Sequence, residues 1–183
     1  MGETFFIGDT HFGHKNIIVF EGTKNLRPFA TIEEHDEEII KRWNSVVRKH
    51  DIVWHLGDVA FGKHSLEHVK RLNGAKRLIA GNHDGYQTQK YLDAGFLSVR
   101  GAWAVDGFLL THVPVHPGQL EREGFNKGNI HGHLHMNHVM LPWPEGEPRR
   151  DPRYINVSCE QINLTPVSLA QLNEQRNKDS EHG

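Results

Sequence analysis

Ile52-Val53-Trp54-His55-Leu56-Gly57-Asp58 is the stretch on which the fold turns. Four of its first five residues are apolar, and a glycine and then an acid follow. A short apolar run that does not alternate and that stops at glycine reads as a strand buried on both faces. Its carboxyl end delivers Asp58. The same pattern recurs on either side in the chain. Thr4–Gly8 is an apolar run that delivers Asp9-Thr10-His11, and Arg77–Ala80 delivers Gly81-Asn82-His83-Asp84.

Helical signals separate these runs. Thr31 reads as an N-cap, and Glu34 completes a capping box. Ile32, Ile39, Ile40, Trp43, Val46 and Val47 follow at helical spacing, so a helix is expected over 32–49. Residues 15–30 are mixed in character and read as irregular or partly helical. Ser65 is expected to cap a short helix through Leu72, which Asn73-Gly74 stops. A brief helix over about 86–94 precedes Gly95. The order β-α-β-α-β-α predicts an α/β sheet. Beyond it the pattern turns β-rich, with Phe96–Val99, Trp103–Val105, Phe108–Thr111, Asn129–His131 and Tyr154–Ser158 as short strands. Pro142 to Pro152, with four prolines beside Arg149, Arg150 and Arg153, reads as an exposed loop. Ser168 is expected to cap a last helix over Leu169–Asn177, with a frayed tail at 178–183. No repeat or linker interrupts the chain, so residues 1–183 read as one domain with its core at about 3–170.

Composition narrows the function classes. The chain has 183 residues, a formal net charge of −2 and one cysteine, Cys159. A nucleic-acid binder that works by bulk electrostatics should be basic, so that class is disfavoured, although a small nucleotide remains a possible substrate. One cysteine cannot form an internal disulfide, which suits a reducing, cytoplasmic setting. The first residues lack a basic n-region and a long apolar core, so they read as neither signal peptide nor anchor. No apolar run reaches the length of a bilayer span.

Histidine is in excess, with 15 in the chain, and position decides what they do. Asp9 and His11 stand two apart after a strand; on extended backbone their side chains would point the same way and could grip one ion. Asn82 can offer a carbonyl oxygen. His112 ends Phe108–Thr111, although His116 competes with it. Gly132-His133-Leu134-His135 repeats the i, i+2 spacing. In open α/β sheets ligands gather beyond the carboxyl ends of strands. Mixed hard oxygen and imidazole nitrogen donors suit divalent transition ions.

Taken in order, the clusters D-x-H, G-D, G-N-H-D, H and G-H-x-H resemble the signature of the calcineurin-like metallophosphoesterase superfamily, here in the form of its small bacterial and phage members. The resemblance reaches from Asp9 to His135. It implies two mixed β-sheets packed as a sandwich flanked by helices. It also implies two divalent metal ions, with Mn the first expectation and Fe, Zn, Ni or Co as others. One would be held by Asp9, His11, Asp58 and His135, and the second by Asp58, Asn82, His112 and His133, so that Asp58 bridges them. A shared water or hydroxide would attack phosphorus in line, and His83 would protonate the leaving oxygen or stabilise the transition state.

One motif departs from the phosphoprotein phosphatases, where G-D continues as G-D-x-x-D-R-G. Here Phe61 replaces the second acid and Gly62 the arginine. The arginine grips a monoester and the acid orients the acid histidine, so a phosphodiesterase acting on a small phosphoester is expected. A phosphomonoesterase, a nuclease and a non-catalytic scaffold are the alternatives. His14 and Lys15 are possible substrate contacts. His55, His131 and His138 read as structural, and the 149–153 arginines as a solvated run more than a site rim.

Overall fold

The computed structural model describes residues 2–62, 64–122, 124–141 and 148–181. Among these described residues nine strands form two sheets: β1 (Thr4–Ile7), β2 (Ile52–His55), β3 (Ala75–Ile79), β4 (Phe96–Arg100), β5 (Trp103–Val105), β6 (Phe108–Leu110), β7 (Gly128–His131), β8 (Tyr154–Asn156) and β9 (Val167–Ser168). The first sheet has the order β4-β3-β2-β1-β9 and the second β5-β6-β7-β8. Strands β1 to β4 run parallel, with β9 antiparallel against β1. In the second sheet β6, β7 and β8 are parallel and β5 is antiparallel. Both sheets are therefore mixed, and they face one another.

The period-2 rule explains the layering. Phe5, Ile7, Val53 and Leu78 point outward into a core shared with helix α1 (Ile32–Val46) and Tyr91 of α2 (Thr88–Asp93). Phe6, Trp54, Leu56 and Ile79 point inward and meet Phe108, Leu110, Ile130 and Val157 of the second sheet. A third helix, α3 (Leu169–Glu181), adds Leu172 to that inner layer. Central strands buried on both faces account for the unbroken apolar runs in the sequence.

Several element boundaries differ from expectation. Helix α1 starts at its predicted cap, where Thr31 accepts from the Glu34 amide, but it ends at Val46 instead of 49. Asp51 draws the next residues out: its Oδ2 takes the Arg48 amide at 2.7 Å and its Oδ1 the Glu3 amide at 2.8 Å. The Ser65 segment is a 3-10 helix over Ser65–Arg71 with His64 at its N-cap position. Ser168 belongs to β9, a strand the sequence pattern did not suggest, while its Oγ still accepts from Gln171 N at 3.3 Å. Helix α3 continues to Glu181, past the expected end at Asn177. Of the expected Pro142–Pro152 loop, residues 142–147 lie outside the described residues.

The two sheets join at one seam. Gly8, directly after β1, pairs with Ser158, directly after β8. Gly8 N donates to Val157 O at 2.8 Å, and Cys159 N donates to Gly8 O at 3.1 Å. The carboxyl ends of β1, β2 and β3 from one sheet and of β6 and β7 from the other thus open onto the same place.

Candidate active site

Beyond β1 and β2 the ladder continues into the loops. Asp9 N donates to Gly57 O, His11 N to Asp58 O and Phe12 N to Val59 O, at 2.9, 3.0 and 2.9 Å. Thr10, between the two, donates through Oγ1 to Val59 O at 2.8 Å and faces His55 Nε2 at 2.9 Å. These bonds hold backbone that is otherwise unfavourable. Asp9, His11, Asp58, His133 and His135 all have positive φ, between 48° and 67°. For non-glycine residues this costs on the order of 1 kcal/mol or more each, and such strain concentrates at functional sites. Asp9 and His11 therefore do not converge by lying on extended backbone, the geometry expected from their spacing, and neither do His133 and His135. Left-handed turns aim them.

They do converge. Asp58 Oδ2 lies 3.8 Å from His11 Nε2 on one side and 3.5 Å from His112 Nε2 on the other. His11 Nε2 is 3.9 Å from Asp9 Oδ1. Asp9, His11 and His135 each place one donor atom within 4.8 Å of the others, and so do Asp9, Asp58 and His112. Asn82 Oδ1 lies 2.9 Å from both His112 Nε2 and His133 Nδ1. All seven sequence-nominated ligands stand in this one cluster. His116 does not join it; its Nδ1 accepts from Gly118 N. His83 is exposed at the rim, with its amide donating to Asp58 Oδ1 at 2.9 Å.

The donor chemistry fits cations. Asp9 Oδ1 and His11 Nε2 are buried without a hydrogen-bond partner, facing each other. Buried acceptors in that state are costly unless something positive sits between them. Burial pushes the Asp9 carboxyl up to about 6, against the pull of His135 and His112. Burial, helped by the Arg27 charge, holds the His11 imidazole well below its ordinary value, so it is neutral and has a lone pair to offer. The ring nitrogens away from the cluster have partners that fix the rings. His112 Nδ1 lies 2.7 Å from Leu56 O, His11 Nδ1 3.2 Å from His14 Nδ1, and His135 Nδ1 3.0 Å from Glu160 Oε1. Such outer partners orient metal-binding histidines.

Several contributors were not legible in the sequence. Glu160 and Arg27 are both fully buried and paired at 2.7 Å. Burial alone would raise the Glu160 carboxyl, but the His135 hydrogen bond and the Arg27 charge bring it down to about 2. Arg27 lies in the stretch read as irregular, and a single arginine there carries no pattern. The acid next to His83 in sequence, Asp84, does not turn to that ring. Instead its Oδ2 accepts from the Asp58 and Gly81 amides, both at 2.8 Å, and its Oδ1 from Val59 N at 3.0 Å, pinning the two loops together. Phe61, at the place of the phosphatase acid, stacks on His14 at 4.1 Å between centroids and lies 5.1 Å from the His83 ring. Arg149 and Arg150 border a separate cavity of about 860 Å³ beside Leu172, which none of the clustered residues lines. Arg153 pairs with Asp151 at 2.6 Å.

Residues 4–156 match the calcineurin-like phosphoesterase superfamily domain, and the chain belongs to that family of metal-dependent phosphoesterases. It is 38% identical over 173 residues to the uncharacterized protein MJ1445 of Methanocaldococcus jannaschii, covering 92% of this chain and 88% of that one. It is also 43% identical over 91 residues to the Gene 66 protein of Mycobacterium phage L5, covering 46% of this chain and 41% of that protein. Among solved structures, the protein AQ665 of Aquifex aeolicus superposes with a TM-score of 0.66 at 24% identity, over 96% of this chain and all of that one, which is a likeness of fold. Among the described residues no helix is long and apolar enough to cross a membrane.

Proposed function

We propose that the chain is a phosphodiesterase that holds two divalent cations, Mn first among them, and hydrolyses a small or exposed phosphoester such as a nucleotide derivative. Asp9, His11, Asp58 and His135 would hold one cation, and Asp58, Asn82, His112 and His133 the other. Asp58 Oδ2, set between His11 and His112, is the observation that carries the reading. Bound there, the cations supply charge stabilisation to the phosphoryl oxygens and acidify water.

The chain's own residues do the rest. The Asp84 and Thr10 bonds hold the Asp9 and Asp58 loops in register, so the donor set is fixed before substrate arrives. His83 stands at the open rim, where its imidazole can give a proton to the leaving oxygen. Neither Phe61 nor Gly62 can clamp a phosphate or ion-pair with His83. Arg27, the arginine that reaches the cluster, is buried beneath it and donates to Glu160 and to the Asp9 and Thr10 carbonyls. A monoester dianion thus meets no guanidinium from these positions, and a diester with one charge needs none. The single buried Cys159, with no disulfide partner, suits a cytoplasmic setting.

The test compares metal-stripped protein, resupplied with Mn and separately with Fe, Zn, Ni or Co, on bis-nitrophenyl and mono-nitrophenyl phosphate. The diester should be preferred by at least about tenfold in kcat/KM, with Mn the best activator. A preference for the monoester would overturn the phosphodiesterase assignment. Asp58→Asn should abolish turnover while leaving the circular dichroism spectrum intact.

A further inference from the structure

Arg27 and Glu160 lie 133 positions apart in sequence, yet they form one fully buried ion pair under the ligand cluster. Removing two charges from water is expensive, and a buried pair of this kind seldom stabilises a fold more than apolar residues of the same volume. Its contacts indicate another role. Glu160 Oε1 accepts both from Arg27 Nε at 2.7 Å and from His135 Nδ1 at 3.0 Å. Arg27 Nη2 donates to Asp9 O at 2.6 Å, and Nη1 to Thr10 O at 3.3 Å. His35, on the buried face of α1, meets Nη1 at 2.8 Å, and its own Nδ1 faces Asp36 Oδ1 at 2.8 Å.

These contacts are one-sided. They reach the Asp9 loop and His135, the residues of one proposed cation position. The other position is fixed differently: His112 is oriented by the Leu56 carbonyl, and His112 and His133 share Asn82. We infer that Arg27 and Glu160 are positioning residues for one cation only. Glu160 sets the ring and tautomer of His135, and Arg27 fixes Glu160 and the left-handed Asp9 turn, whereas the rings of His112 and His133 at the other position take their orientation from other groups. The inference rests on the two-cation reading proposed above.

Mn titration of the metal-stripped full chain, followed by calorimetry and by electron paramagnetic resonance, tests it. Wild type should take up two equivalents and give a coupled dinuclear signal. Glu160→Gln keeps the size and one acceptor but removes the charge. It should weaken one equivalent about 10–100-fold, the usual effect of losing an outer partner, and leave the other unchanged. At one equivalent it should give an isolated six-line Mn spectrum. Asn82→Ala should weaken the opposite equivalent, and the double variant both. Arg27→Lys retains a cation but cannot reach Glu160 and two carbonyls together, so it should reproduce the Glu160→Gln result and serves in its place if that variant does not fold. Wild-type affinity for both equivalents in Glu160→Gln, or equal weakening of the two, would overturn the inference while the two-cation reading stood. Failure of the wild type to bind two equivalents would overturn that reading and, with it, this inference.

Discussion

His83 shows how little at the single-residue level fixes a proposed catalytic group here. Its backbone amide is tied to Asp58 Oδ1 at 2.9 Å, while its ring lies near those of Phe61 at 5.1 Å and His11 at 6.2 Å between centroids. Among the described residues no carboxylate pairs with that ring, and Asp84 is committed to loop amides. A general acid matters in proportion to how poor the leaving group is, and it contributes about 10²–10⁴-fold where it is needed. His83→Asn should therefore lose that much activity on an alkyl diester and far less on a nitrophenyl diester, whose leaving group departs without a proton. Equal losses on both esters, measured as kcat at saturating Mn, would remove His83 from the proton-donor role.

At the scale of elements, β2 carries a histidine into the outer core that serves the loops. His55 is buried and faces Thr10 Oγ1, which itself bonds Val59 O, so one strand residue ties the Asp9 loop to the Asp58 loop. Burial, against the attraction of Asp84, holds its imidazole down to about 4 from 6.5. The unfolded chain therefore binds a proton that the folded chain refuses. The stabilisation from a neutral His55 is complete above about pH 6.5 and is lost as pH falls toward 4, a change of about 3 kcal/mol. Urea unfolding of chelator-treated protein at pH 7 and pH 4 should show His55→Gln losing about that much less than wild type on acidification; parallel losses would refute it. Elements also mark what the sequence made legible. Apolar runs that end at Gly57 and Gly81 announced β2, β3 and the residues they deliver, because a strand buried on both faces leaves a continuous signature. Two-residue β9 left none. The positive φ of Asp9 and His11 was hidden because nothing in a non-glycine residue announces it. The Arg27–Glu160 pair was hidden because two lone charges far apart in sequence have no period to read.

For the whole molecule, the decisive fact is that the cluster belongs to neither sheet alone. Asp9, His11, Asp58 and Asn82 follow strands of the first sheet, and His112, His133 and His135 follow strands of the second. The contacts that join them are cross-sheet contacts: His133 N donates to Asp9 Oδ2 at 2.9 Å, and His112 Nδ1 faces Leu56 O at 2.7 Å. Even the space is shared, since a methyl group added at Gly132 would stand 2.5 Å from Asp9 Oδ2. Cations bound there would bind only the assembled sandwich, so their binding free energy adds to global stability. At a free concentration near 100 times the dissociation constant each site contributes about 2.7 kcal/mol. In a chain of this size 1 kcal/mol moves the melting temperature by about 2–4 °C. Saturating Mn should thus raise the melting temperature of metal-stripped protein by roughly 10–20 °C, in one cooperative transition. Asp58→Asn, which touches both positions, should lose most of that rise. An unchanged melting temperature on adding Mn to wild type would mean that the cross-sheet cluster does not hold the ions its donors suit.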